Sequence, residues 1–333
     1  MEDFFKGKTI LVTGGTGFLG TALVKRLLEY GPHAIRVLSN DEFGHYQSQK
    51  NFEDPRIRHL LGDVRDLERM RIACQDADVV IHAAALKRID LIEYNVMEGV
   101  YTNVMGTMNV VRACLDQKVP KAVFISTDKA CSPLNSYGAT KMLGERIFVE
   151  SNYNKGRSKT ALVAVRYGNV LNSTGSAVPI FLERIAQGKD LCITDERMTR
   201  FAISEDRAVD EVMNAIKYGT GGEIFVPKLV SNRVTDLVEV LLEHFKAKNR
   251  TKVVGIRPGE KIHEELINES ESTRAYEFRD SYVILSQIYS GKPEYYPYLK
   301  GKKTVNFTNF SSKDFVVSKK ELKELLIKAK ILN

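Results

Sequence analysis

Tyr137 and Lys141 stand four residues apart in Tyr-Gly-Ala-Thr-Lys, so on a helix the phenol and the ammonium share one face. An ammonium beside a phenol favours the phenolate, which can exchange a proton with a hydroxyl while a hydride leaves the same carbon. The pair lies a short loop after an apolar run that ends in Ser126-Thr127, with Asp128-Lys129 directly behind it. Hydride transfer coupled to proton transfer is the chemistry these types and spacings offer. An ordinary ion-bearing helix surface is the alternative reading.

A hydride needs an acceptor, and Thr13-Gly14-Gly15-Thr16-Gly17-Phe18-Leu19-Gly20 has the form of a site for one. It follows the apolar run Lys8–Val12 and opens a segment with Ala22, Leu23, Leu27 and Leu28 at helical spacing. Gly14, Gly17 and Gly20 let the backbone turn tightly and approach a pyrophosphate. Thr16, Phe18 and Leu19 fall at the helix start, where amides and the helix N-terminus stabilise the anion. Asp63 in Gly-Asp-Val-Arg-Asp can accept from an adenine amino group, with Val64 beside it, or else cap a helix. Ala83, Ala84 and Ala85 after His82 let a flat ring and a ribose lie against the backbone, as would tight helix–sheet packing. At the end of the second apolar run, Ser39-Asn40 replaces the acidic residue that holds a free ribose 2'-hydroxyl. The expected cofactor is therefore NADP, with NAD possible, and Lys50 is the nearest downstream cation. Lys141 is expected to reach the nicotinamide ribose.

The elements that position these residues alternate. Apolar runs at Lys8–Val12, Ile35–Leu38, Ile57–Leu61, Val79–Ala83, Lys121–Ser126 and Leu162–Tyr167 are separated by segments of helical period, including Val100–Leu115 and Tyr137–Glu150. Strand–helix alternation implies an α/β fold, a Rossmann-type doubly wound parallel sheet covered on both faces. Residues 1–170 are expected to form the dinucleotide-binding domain. Beyond Asn172 the regularity breaks, and 171–333 are expected to form mainly a smaller C-terminal substrate-binding lobe. Glu223–Val226 and Val234–Phe245 are expected to return to the main sheet or its flank.

Composition narrows the class. The chain of 333 residues is 43% hydrophobic and 27% charged, which suits an ordinary globular protein. No apolar run approaches the roughly 20 residues needed to span a bilayer. Met1–Lys8 lacks the basic start and apolar stretch of a signal peptide, so a cytoplasmic location is expected. Cys74, Cys114, Cys131 and Cys192 form no CxxC pair, and neither a metal site nor a disulfide framework is expected. The net charge of +7 comes without a nucleic-acid recognition motif, and much of it lies in Lys300–Lys303 and in Lys319–Lys330, which reads as a helix with a solvated lysine face. The same sign of field suits an anionic small-molecule substrate.

Taken together, TGGTGFLG, GDVRD, HAAA, the Ser-Thr strand end and YGATK resemble the extended short-chain dehydrogenase/reductase family over nearly the whole chain. Within it, Ser126-Thr127-Asp128-Lys129-Ala130, HAAALK, Arg166-Tyr167-Gly168-Asn169-Val170, Met198-Thr199-Arg200-Phe201 and Arg257-Pro258-Gly259-Glu260-Lys261 resemble the inverting UDP-N-acetylglucosamine 4,6-dehydratases. The sequence departs from that family where Asn40 replaces an arginine.

The resemblance implies oxidation at C4, loss of the C5 proton, expulsion of the C6 hydroxyl as water and return of hydride to C6. It implies Tyr137 as acceptor of the C4 proton, Lys129 as base at C5, Asp128 as acid to the C6 oxygen, and Thr127 as a hydrogen-bond partner of the C4 oxygen. A lysine base requires burial or nearby cations such as Lys141 to lower its pKa. Asn169, Arg200, Arg257 and Glu260 match the family's UDP-sugar contacts, and Lys87 meets substrate or diphosphate unless it pairs with Asp90. The implied substrate is UDP-N-acetylglucosamine or a close UDP-hexose. The implied assembly is a homo-oligomer, dimer or hexamer, pairing Val100–Leu115 and Tyr137–Glu150 across subunits. A UDP-sugar 4-epimerase shares the glycine loop, the threonine and YxxxK, but has no use for Asp128-Lys129. A non-catalytic cofactor-binding scaffold is the reading of another class.

Overall fold

The computed structural model describes residues 1–173, 175–288 and 293–332. Among these, the main sheet runs Ala275–Phe278, Ser281–Leu285, Glu223–Pro227, Ala161–Val165, Lys121–Ile125, Val79–His82, Thr9–Thr13, Ala34–Ser39, Ile57–Leu61. From Ile57–Leu61 to Glu223–Pro227 every pairing is parallel, and the two strands at the far edge are antiparallel. Thr9–Thr13, Ala161–Val165 and Glu223–Pro227 are buried along their whole length, as strands covered on both faces must be. Strand order reverses between Thr9–Thr13 and Val79–His82, and the crevice beyond their carboxyl ends is where an open α/β sheet binds ligands.

The helix Ser136–Asn154 carries Tyr137 and Lys141. Asn135 caps it by accepting from the Gly138 amide at 2.7 Å. A Cβ on Gly138 would lie 2.3 Å from the Lys129 carbonyl oxygen, so only glycine lets this helix sit against the turn that bears Asp128 and Lys129. The neighbouring helix is α-helical over Gly106–Asp116 and wider, π-helical, over Val100–Met105.

A second apolar cluster forms beside the sheet from Leu171, Val178, Phe181, Leu191, Ile193, Leu237, Leu241, Leu322 and Leu326, among others. It is enclosed by the helices Ala177–Ala186, Val234–His244 and Lys319–Lys328. Val234–His244 thus belongs to the smaller lobe and not to the flank of the main sheet, because Leu237, Val238, Val240 and Leu241 are buried in the second cluster. Glu223–Pro227 does join the main sheet. The Lys319–Lys328 helix buries Leu322 and Leu326 and leaves most of its lysines in water. Cys74, Cys114 and Cys131 are buried free thiols, and Cys192 is partly exposed. Among the described residues no helix is long and apolar enough to cross a membrane, and no group of His, Cys, Asp and Glu converges as a metal site.

Candidate active site

The glycine loop sits at the sheet crevice. Gly14 has φ +66°, and a Cβ there would meet the Ala84 backbone at 2.8 Å, so the loop and the Ala83–Ala85 segment touch backbone to backbone. Gly17 is the N-cap of the helix Phe18–Glu29, whose first turn holds Phe18, Leu19 and Gly20. Thr16 lies against Gly44 at the start of the helix Glu42–Asn51, where Asp41 accepts from the Gly44 amide at 2.9 Å. Beneath the loop, Thr13 Oγ1 and His82 Nδ1 are 2.8 Å apart, and His82 Nε2 lies 3.0 Å from Thr107 Oγ1. Burial, helped by the Lys141 charge, pushes His82 down to about 3, so its imidazole is neutral scaffold.

At the end of the second strand, the Ser39 hydroxyl accepts from the Asp41 amide at 3.2 Å, and Asn40 Nδ2 donates to Asp63 at 3.0 Å. Asp63 also accepts from the Arg65 side chain and amide. Burial raises its pKa, but these hydrogen bonds outweigh it and the net shift is down. Asp66, not Asp63, caps the next helix. Val64 is buried against Gly106. The Lys50 ammonium sits over the Tyr46 ring, 4.5 Å from its centroid, on the solvent side of its own helix.

The strand Lys121–Ile125 delivers Thr127, Asp128 and Lys129 to the mouth of the smaller lobe. Thr127 Oγ1 donates to Asp128 Oδ1 at 2.9 Å, and Lys129 Nζ donates to the same oxygen at 3.0 Å and to Asn169 Oδ1 at 3.3 Å. Asp128 is fully buried and its Oδ2 has no hydrogen-bond partner. Lys129 also faces Glu264 Oε1 at 3.5 Å.

A lysine base requires a lowered pKa, and this environment acts the other way. Burial does pull the Lys129 pKa down, as does Arg200, but Asp128 and Glu264 outweigh both and hold it above its ordinary value. Lys129 is an ammonium between two carboxylates. Lys141 is held beneath the end of the strand Lys121–Ile125. Its Nζ donates to the Ile125 carbonyl at 2.5 Å and lies 4.0 Å from the Phe124 ring centroid, because the long side chain runs under the strand end. Burial pushes it down to about 7. Tyr137 is pushed up to about 12 by burial, and the cation whose field opposes this is Lys129, aided by a hydrogen bond with Thr127.

A cavity of about 330 Å³ opens beside this cluster and brings together Lys129, Asn169, Arg200, Arg257, Glu260 and Glu264. Phe181, Ile193 and Thr194 also line it. Arg200 is anchored by the carbonyls of Thr199 and Ile262 at 2.8 and 3.0 Å, and Arg257 and Glu260 form one turn. Asn135 Nδ2 donates to the Gly259 carbonyl at 3.0 Å, tying that turn to the cap of the Tyr137 helix. Lys87 is not among the residues that line this cavity; it is exposed, desolvation lowers its pKa, and Asp90 pairs with Arg88 at 2.7 Å.

Two residues escaped sequence reading. Glu264 follows the Arg257–Lys261 motif, and nothing in its spacing places it against Lys129. Asn103 is buried in the π-helical turn and holds both the amide and the carbonyl of Leu86, while donating to Thr140 at 3.1 Å. It locks the Ala83–Ala85 segment to the Tyr137 helix.

The chain matches the family model described as polysaccharide biosynthesis protein over residues 10–286. It is 43% identical over 98% of its length to an uncharacterized membrane protein of Methanocaldococcus jannaschii, 97% of which is covered. A UDP-N-acetylglucosamine 4,6-dehydratase (inverting) of Campylobacter jejuni is 45% identical over 85% of this chain and 84% of that protein. A UDP-glucose 4-epimerase of Rickettsia rickettsii is 36% identical over 97% and 96%. Among solved structures, Pen from Bacillus thuringiensis superposes with a TM-score of 0.92 at 37% identity, covering 99% of each chain. A dTDP-glucose 4,6-dehydratase of Streptomyces venezuelae, solved with NAD bound, gives a TM-score of 0.71 over 76% and 86% at 22% identity, a likeness of fold.

Proposed function

This chain belongs to the polysaccharide biosynthesis family of extended short-chain dehydrogenase/reductase type and is homologous to inverting UDP-N-acetylglucosamine 4,6-dehydratases, and on that premise we propose that it is such a dehydratase, acting on UDP-N-acetylglucosamine with inversion at C5. The product is then UDP-2-acetamido-2,6-dideoxy-β-L-arabino-hex-4-ulose. The observation that carries this reading is the ion pair of the buried Asp128 with Lys129, which lines the cavity, directly after Thr127 and in electrostatic contact with Tyr137. Exchange at C4 alone needs no second acid–base pair; elimination across C5 and C6 does.

Gly14, Thr16, Gly17, Phe18, Leu19 and Gly20 would hold the dinucleotide pyrophosphate, Asp63 and Val64 the adenine, and Ala83, Ala84 and Ala85 the rings. The close approach of Gly14 to Ala84 leaves the flat, side-chain-free surface such a group requires. The bound dinucleotide supplies the hydride acceptor and donor. NADP is the proposed form, with Ser39 and Asn40 at its 2'-phosphate. Equal or tighter binding of NAD in calorimetry would reassign it.

Tyr137 takes the C4 hydroxyl proton. Because Thr127 bonds both Tyr137 and Asp128, the phenolic proton can pass through the Thr127 hydroxyl to Asp128 as the new one arrives. Asp128 then protonates the departing C6 oxygen, so the proton released at C4 is the one required at C6. Lys129 takes the C5 proton. Lys141, desolvated and pushed down to about 7, turns from the Ile125 carbonyl to the cofactor ribose. Asn169, Arg200, Arg257 and Glu260 hold the UDP-sugar, with Arg200 and Arg257 suited to diphosphate oxygens. Lys87 is proposed to meet the substrate from the crevice side.

The test is an NMR time course with UDP-N-acetylglucosamine in deuterated water without added reductant. A C6 methyl with deuterium at C5 is expected. The competing reading, a 4-epimerase, is favoured by the 36% identical relative of that name across nearly the full chain. A C4 epimer that keeps its C6 hydroxyl would establish it. A homo-oligomer is proposed to form through the exposed apolar residues Tyr94, Met97, Tyr101, Met105 and Leu143. A monomer by sedimentation would refute that.

A further inference from the structure

The position of Lys129 poses a problem for any base role. A primary amine can take a proton from carbon only when neutral, yet Asp128 Oδ1 at 3.0 Å and Glu264 Oε1 at 3.5 Å both favour its ammonium form. Arg200, with Nε 4.0 Å from Glu264 Oε1, is the remaining charge against the cluster. A step that makes Lys129 a base must therefore move a proton off Nζ to a group already in contact with it.

Glu264 has the features of that acceptor. It lines the cavity, is 2% exposed, and its Oε2 is buried without a hydrogen-bond partner among the described residues. Its backbone is clamped, with its amide donating to Ser312 Oγ at 2.9 Å and its carbonyl accepting from the Ser312 amide at 2.8 Å. A buried, unpartnered carboxylate oxygen next to an ammonium that is itself only partly exposed is costly as an ion pair once substrate displaces the remaining water. Desolvation favours the neutral pair of amine and carboxylic acid.

We propose that Glu264 is the positioning residue that makes Lys129 a base: when substrate fills the cavity, the Lys129 ammonium passes one proton to the Glu264 carboxylate, and the resulting amine takes the C5 proton. This rests on the dehydratase reading above. An N–H bond of Lys129 breaks and an O–H bond of Glu264 forms. The C5–H bond then breaks to a new N–H bond on Lys129, its electron pair becomes the C5–C6 double bond, and the C6 oxygen leaves as water with the proton from Asp128. When C5 later receives a solvent proton on its other face, the extra proton leaves from Glu264, and the ion pair with Lys129 is restored. Asp128 cannot serve both ends, because its carboxyl group is committed to the C6 oxygen.

The test compares the full-length, cofactor-loaded protein with Glu264→Gln and Glu264→Asp. Two readouts are followed in deuterated water: reduced-nicotinamide absorbance, which reports C4 oxidation, and deuterium entry at C5. For Glu264→Gln, C5 exchange and kcat should fall by about 100-fold or more, with KM within about threefold and C4 oxidation retained. Its residual rate should climb about tenfold per pH unit through neutrality, because Lys129 must then lose its proton to solvent, whereas the wild-type rate should be flat there. Glu264→Asp, which keeps the acceptor, should recover part of the rate and the flat profile. Infrared difference spectra on UDP-N-acetylglucosamine binding should show a protonated carboxyl in the wild type that Glu264→Gln lacks. Exchange within about threefold of wild type in Glu264→Gln, or an unchanged pH profile, would overturn the proposal. So would equal loss of C4 oxidation and C5 exchange in both variants, which marks a merely structural role. Absence of C5 exchange in the wild type itself would instead refute the dehydratase reading.

Discussion

Arg166 is fully buried in a cluster that joins the two halves of the active site, and its replacement by methionine should be strongly destabilising. Its guanidinium donates to Glu145 at 2.8 and 2.6 Å, to Glu271 at 2.8 and 2.9 Å, and to the Leu266 carbonyl at 2.9 Å. Glu145 lies one turn beyond Lys141 on the Tyr137 helix, while Glu271 completes the capping box begun by Asn268, just past Glu264. Arg166→Met leaves two buried carboxylates facing each other without the cation that bridges them, and breaking a buried pair in this way costs about 3–5 kcal/mol. The Glu271 carboxyl gives an independent figure. Burial raises its pKa, but the Arg166 charge and hydrogen bonds outweigh this and draw it from 4.5 to about 2. At about 1.4 kcal/mol per tenfold change in proton affinity, the net shift, to which the Asn268 amide and Arg274 also contribute, is worth about 3 kcal/mol. The folded-state pKa lies below the unfolded one, so this stability is present above about pH 4.5 and is lost as pH falls toward 2. In Arg166→Met the main opposition to burial is gone, so protonation is favoured. The chain has no tryptophan, so urea unfolding is followed by circular dichroism at pH 7 and pH 4.5. The variant should lose about 3–5 kcal/mol at pH 7 and distinctly less at pH 4.5. A loss under about 1 kcal/mol at pH 7, or one that grows toward acid, would refute the reasoning.

Three further outcomes follow from the same geometry. Tyr137→Phe should lower kcat by about 100-fold or more with KM little changed, since only the transferred proton is lost; steady-state kinetics with unaltered circular dichroism checks it. Gly14→Ala should abolish dinucleotide binding by calorimetry, because its Cβ would sit 2.8 Å from the Ala84 backbone at a φ of +66°. Glu211 is buried, accepts from Ser281 at 2.8 Å and is pushed up from 4.5 to about 7 by burial. Its folded pKa exceeds its unfolded one, so stability falls as pH rises from about 4.5 to 7. Glu211→Gln should therefore raise the melting temperature at pH 8 and leave it nearly unchanged at pH 5, and an equal shift at both would count against burial as the cause.

The sequence was legible where chemistry is local. Strand–glycine–helix order at Thr13–Gly20, the alternation of apolar runs and the four-residue spacing of Tyr137 and Lys141 depend on neighbours along the chain, and backbone sterics and side-chain period suffice to read them. The motifs around Arg200 and Arg257 also reach the cavity, since each sits on its own short element. What the chain by itself could not decide is which charge meets which. Lys129 lies among Asp128, Glu264 and Arg200, so its proton affinity is set by residues up to 135 positions away. The same holds for Val234–His244, whose apolar face fits either the sheet flank or the lobe until the helix Lys319–Lys328 arrives to cover it. Sequence determined the scaffold and the candidate reacting groups, because those follow from local geometry. Tertiary structure alone decided their protonation and their partners, because electrostatic fields in a desolvated interior act through space.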